Sequence, residues 1–166
     1  MPDFSTKTPA ELDTLLGNYR RLGKARSETF IALLAERERR AAAKDRLSID
    51  RSLALLKQAA QQHAYVTYGE LAKASDQKWS NTIRARMSGP NGHLDRLLDI
   101  CHSQHLPLLS ALCVNQDGQA TGTLDEPARA GFANGARRLG ITMTDEDQFY
   151  RQCQQECFTW GAAQPA

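Results

Sequence analysis

Apolar residues recur at helical spacing along most of the chain, and short polar caps mark where each helix begins. Thr8-Pro9-Ala10-Glu11 is a capping box with proline at the first helical position, which predicts a helix from about Pro9 to Leu22, stopped by Gly23. Ser27 opens a second helix that is apolar at Phe30, Ile31, Leu33 and Leu34 and charged from Glu36 to Arg40, so its second half is expected to face solvent. Ser48 caps a third, with Ile49, Leu53, Leu56 and Ala60 on one face until the polar stretch "QQH".

The pattern changes at Tyr65-Val66-Thr67, which is β-branched and aromatic and predicts a short strand. Thr67-Tyr68-Gly69-Glu70 is a second capping box, so that strand should hand over directly to a helix from Tyr68 to Ala74. Ser80 caps the next helix, Asn81 to Ser88, ended by Gly89-Pro90, and His93 to His105 forms another with Leu94, Leu97, Leu98 and Cys101 inside. "LLSALCV" then reads as a buried strand, "NQDG" as a turn and "QATGTL" as a returning strand. Asp125 or Glu126 starts a helix through Pro127, Phe132 and Leu139 that Gly140 ends. Thr144 caps a last helix striped by Phe149, Cys153, Cys157 and Trp160. That stripe is expected either to dock on the rest of the domain or to form an oligomer contact.

This order predicts a mostly α fold with a small β-wing: a winged helix-turn-helix-like core with extra N- and C-terminal helices. The expected organisation is an N-terminal helical region over 1–46, the winged-helix-like core over 47–124, and C-terminal helices over 125–166 packing on that core. A chain of 166 residues at 41% hydrophobic can bury such a core. The longest uncharged apolar run, Leu106 to Val114, is far too short to cross a bilayer, and Met1 to Thr8 lacks the order of a signal peptide. The expectation is a soluble, cytoplasmic protein without a membrane partner. The spacing of Cys153 and Cys157 suits a helix face better than a zinc knuckle, and they, Cys101 and Cys113 are expected to be reduced, mostly buried thiols.

Charge is unevenly spread. Up to Gly89 there are 16 Lys/Arg against 10 Asp/Glu, a net +6; from Pro90 onward there are 5 against 9, a net −4. A basic front half suits a polyanionic partner, although ordinary solvated helices also produce such asymmetry.

Chemistry is hard to find. Cys113 has no local histidine to activate it, and His93, His102 and His105 on one helix, even with Asp99, lack a complementary ligand motif elsewhere. "GPNG" follows a helix and breaks it, so it is no phosphate loop, and the acids at Asp125-Glu126 and Asp145-Glu146-Asp147 stand at helix starts, where the dipole accounts for them. No catalytic residue, metal site or cofactor is predicted. The arginines offer more. On the helix from Asn81 to Ser88, Ile83 and Met87 face the core, which leaves Asn81, Arg84 and Ser88 outward and Arg86 near the rim. Arginine and asparagine are the side chains that read guanine and adenine edges in the major groove. Lys73, Lys78 and Trp79 flank the same turn, and Asn115, Gln116 and Gln119 would place a wing tip on the DNA.

"VTYGELAKAS", "NTIRARMSG" and "LPLLSALCVNQDGQATG" together resemble the DNA-binding winged-helix segment of the O6-alkylguanine-DNA alkyltransferases and alkyltransferase-like proteins. In that family a T-Y-G-E-[LV]-A helix start, an arginine-bearing recognition helix and a strand after "LP" follow in this order. The likeness spans roughly Tyr65 to Gly122 and is most specific from Thr67 to Ala72. It implies a DNA-binding winged helix without alkyl transfer, because the signature P-C-H-R-V is absent around Cys113. The whole chain is also similar to a group of small uncharacterised bacterial proteins, a likeness that implies no activity. The leading expectation is a small non-catalytic protein, regulatory or accessory, that binds double-stranded DNA. The alternatives are an adaptor or inhibitor that binds a protein partner through its helical ends, and an enzyme with an unrecognised site, such as a nuclease or base-repair activity.

Overall fold

The computed structural model describes residues 2–165, and among these the chain is mostly helical. Its elements are α1 (Pro9–Arg21), α2 (Glu28–Asp45), α3 (Ile49–Gln62), β1 (Val66–Thr67), α4 (Tyr68–Ala74), α5 (Asn81–Met87), α6 (His93–Ser103), β2 (Cys113–Val114), α7 (Glu126–Arg138) and α8 (Glu146–Ala162). The caps explain the boundaries. Both capping boxes close in both directions: Thr8 with Glu11, and Thr67 with Glu70. Ser27, Ser48 and Ser80 accept from the third residue of their helices. The last helix is capped by Asp145, which accepts from Gln148 N at 3.0 Å, rather than by the expected Thr144, one residue earlier.

One apolar core runs through the molecule, and α3 lies at its centre, packed on α8, α4, α6 and β1. Leu56, Ala59 and Ala60 of α3 and Cys157 and Phe158 of α8 are buried. These two helices approach closely because Gly161 has no side chain: a Cβ there would lie 2.3 Å from the Ala60 carbonyl group. At the end of α3, His63 stacks on Phe158 with ring centroids 3.9 Å apart.

The charged half of α2 does not simply face solvent, as its composition suggests. Arg37 and Glu38 turn toward α6, and Asp45 is buried. Asp99 receives Arg20 and Arg37, each at 2.9 Å, while Arg96 reaches Glu38 at 3.2 Å and Asp45 at 2.8 Å. This network clamps α1 and α2 to α6, and removing one partner from such a buried set leaves the others uncompensated. Burial raises the Glu38 carboxyl above its ordinary range in spite of Arg37 and Arg96.

The β-wing differs from expectation. "LLSALCV" is a 3-10 turn over Leu109–Leu112 followed by the two-residue β2, and β2 pairs in parallel with β1, Val66 beside Cys113 and Thr67 beside Val114. The returning strand over "QATGTL" does not form. Gly118 and Thr121 donate back to Asn115 and Gly118, so the segment winds instead of extending. Gly122, at φ +74°, lies against the Tyr65 ring, where a Cβ would approach within 2.2 Å. The buried Gln154 of α8 then donates to the carbonyls of Gly122 at 2.9 Å and Ala111 at 3.1 Å, fixing the coil to the core.

Candidate nucleic-acid interface

The strand-to-helix junction at Thr67 and the helix α5 form two walls of one cleft, and the turn after β2 forms a third. Ile83 and Met87 are buried and set the rotation of α5, so Asn81, Arg84 and Ser88 turn outward. All three line a cleft of about 880 Å³, together with Asn115 and Gln116 from beyond β2. Five of the nine side chains picked out in the sequence therefore meet, although they come from segments some thirty positions apart. Trp79 stands at the rim, 45% exposed, and stacks on Tyr68 with centroids 6.2 Å apart and ring planes 23° from parallel. An exposed indole held by a second ring offers a rigid flat face.

The other four go elsewhere. Arg86 is half-buried at the side of α5, and Lys78 is exposed in the turn before it, and neither lines the cleft. Lys73 lines a separate groove beside α3, with Leu55, Gln58 and Glu70. Gln119 is no free wing tip: its amide donates to both carboxylate oxygens of Glu70 at 3.1 Å and lies 3.4 Å from the Tyr65 carbonyl oxygen. The coil that replaces the returning strand turns this side chain inward. The electrostatics of the cleft are consequently mixed, with Arg84 on one wall and Asp125, the cap of α7, on another. Among the described residues, Arg84 has no carboxylate partner.

Next to the cleft a smaller cavity of about 280 Å³ shares Tyr68, Ser88, Gly89, Pro127 and Ala128 with it and is also lined by Leu98, Ser110, Cys113 and Phe132. Ser110 is buried, and its hydroxyl finds no hydrogen-bond partner. Burial pushes the Cys113 thiol far above its usual range, with Glu70 adding to the effect, and likewise raises the Tyr68 hydroxyl. All four cysteines are free and buried; the Cys101 thiol is pushed up to about 11 and that of Cys153 to about 12, in both cases by burial first. Among the described residues no three His, Cys, Asp or Glu side chains stand close enough to hold a metal ion. No helix among them is long and apolar enough to cross a membrane.

Sequence reasoning noted Trp79 but left it out of the site, and it missed Asp125 and Tyr68. Trp79 carried a usable signal: a large aromatic residue among polar turn residues, directly before a helix cap. Asp125 was legible only as a cap, since nothing in the sequence brings α7 up to α5. Comparison of the chain with protein-family models, with curated proteins and with solved structures found no match.

Proposed function

We propose that this chain is a small non-catalytic protein that binds double-stranded DNA through the cleft between α5 and the turn after β2. In this reading α5 is the recognition helix of a winged-helix-like arrangement, and the coil after β2 takes the place of a wing. The observation that carries the reading is the convergence of Asn81, Arg84, Ser88, Asn115 and Gln116 with the exposed Trp79 around one cleft. An outward arginine without a carboxylate partner, flanked by amides and hydroxyls, is the set of donors that contacts base edges and phosphates. The likeness of "VTYGELAKAS" to the alkyltransferase winged helix points the same way. The raised Cys113 thiol gives no support to an alkyl-acceptor role.

Fluorescence anisotropy with mixed-sequence duplexes, begun near 50 mM salt, tests this. Binding that weakens in Arg84→Ala and in Trp79→Ala supports it, and absence of binding by the folded wild-type chain overturns it.

A second reading, a protein-binding module, is favoured by the charge of the cleft. Arg84 and Asp125 both line it, and Trp79, Ala85 and Pro127 add apolar surface, a composition closer to a protein contact than to a basic groove. Its signature would be Trp79-dependent binding that is insensitive to salt.

A further inference from the structure

The C-terminal ends of α1 and α7 meet at a further depression, of about 380 Å³, lined by Arg20, Arg21, Arg26, Arg137, Arg138 and His102. Its two glycines, Gly23 and Gly140, both take positive φ to end their helices, and both face open space, so the mouth is clear. Three of the arginines are paired: Arg20 with Asp99 at 2.9 Å, Arg137 with Glu146 at 3.0 Å, and Arg138 with Asp95. Arg21 and Arg26 are exposed and have no carboxylate partner among the described residues. Arg21 donates only to Asn18, at 3.2 Å, and Arg26 uses its Nε on the His102 carbonyl oxygen at 3.0 Å, leaving its outer nitrogens unengaged. The Nε of Arg20 is buried and finds no acceptor. Arg21 and Arg26 thus keep guanidinium nitrogens without a carboxylate, beside the unpartnered Nε of Arg20, and the planar fork of arginine matches phosphate oxygens.

We propose that this depression is a phosphate-binding site, taking either an oligophosphate anion or the backbone of a nucleic acid. It is separate from the cleft: α7 starts beside the cleft at Pro127 and Ala128 and carries Arg137 and Arg138 about 15 Å further along its axis. The proposal therefore does not depend on the cleft's function. His102 reports on the site. Its imidazole is held below its ordinary range by burial, then by Arg26, with His105 and Arg20 adding to this and Asp99 opposing it. A phosphate among these arginines adds negative charge beside the imidazole and raises it.

The test is titration of the full chain with sodium tripolyphosphate, followed by calorimetry and by the His102 imidazole resonances as a function of pH. Wild-type and Arg84→Ala proteins should bind alike, with the His102 titration midpoint moving up. The double variant Arg21→Ala/Arg26→Ala should lose at least tenfold in affinity while still unfolding cooperatively, its melting point lowered only modestly by the loss of the Arg26 bond to the His102 carbonyl and the Arg21 bond to Asn18. Arg21→Ala alone, which spares the His102 contact, should also bind more weakly. A parallel arm with duplex DNA identifies the source. If the backbone is the ligand, the double variant lowers the salt slope by about two, and tripolyphosphate competes. Equal tripolyphosphate binding by wild type and double variant, or no binding together with unchanged DNA affinity, would overturn the site.

Discussion

Gln119 and Glu70 meet at 3.1 Å, the side-chain amide of one held by both carboxylate oxygens of the other. Glu70 at the same time accepts from the backbone N–H of Thr67 at 2.9 Å, so one carboxylate ties the coil after β2 to the start of α4. The residue expected to reach out toward DNA thus braces the junction on which the cleft is built.

That junction should be fragile to small changes. Thr67→Ala removes the cap of α4 and is expected to lower stability by roughly 0.5 to 2 kcal/mol. Gln119→Ala leaves Glu70 free to bond water and should cost less, roughly 0.5 to 1.5 kcal/mol. Urea unfolding of the two variants and their combination measures both. Because they share Glu70, the combined effect should depart from the sum.

Arg84→Ala is expected to behave in the opposite manner, changing stability by no more than about 0.5 kcal/mol and duplex affinity by about 1 to 3 kcal/mol if the side chain reads a base. A phosphate contact would instead reduce the salt slope by about one. Arg86→Ala should weaken binding less than Arg84→Ala, since Arg86 lies outside the cleft. Anisotropy beside thermal melts separates the two variants.

Stability should fall in mild acid through His93. It is buried, its Nε2 lies 2.7 Å from the Ser52 hydroxyl, and its pKa is lowered to about 3, by burial first and by Arg96 second. The unfolded chain therefore takes up this proton near pH 6.5, while the folded chain resists until about pH 3. The stabilisation is complete above pH 6.5 and declines between these values, at up to about 1.4 kcal/mol per pH unit. Unfolding free energies measured from pH 7 to pH 4 should show this slope in wild type and a flatter one in His93→Gln.

The thiols should be inert in the native state. With Cys113 buried and pushed far up in pKa, thiolate is scarce and reagent access is closed. Native protein is expected to react slowly with a thiol reagent and to show no mass increase after incubation with O6-benzylguanine. All four cysteines should react rapidly once the chain is unfolded.

The helices were legible because their signals are local. A cap such as Ser80 and a pair such as Ile83 and Met87 lie within one turn or two, and they fixed which face of α5 is outward. The coil at 115–124 was misread because alternating small and polar residues favour a strand only when a partner strand is available. Here Gly118 and Gly122 fit against Thr123 and Tyr65, the coil's own turns take up its N–H groups, and Gln154, more than thirty positions away, holds the Gly122 carbonyl. Asp125 in the cleft, and Arg137 lining one depression with Arg21, were invisible for the same reason: each depends on how α7 docks, and that is written in no single segment.

The pairing of Val66 with Cys113 joins residues 47 positions apart, and only one further pair, Thr67 with Val114, supports it. Everything from α4 to α6 is thus a long loop whose ends meet over two residues, a closure that opposes chain entropy and forms late relative to local helices. The walls of the cleft come from inside this loop and from just beyond its end. A partly folded chain can hold its longer helices and still have no interface, so binding competence should vanish in the same cooperative step as the parallel strand pair, with the amide protons of that pair exchanging only when the cleft is lost.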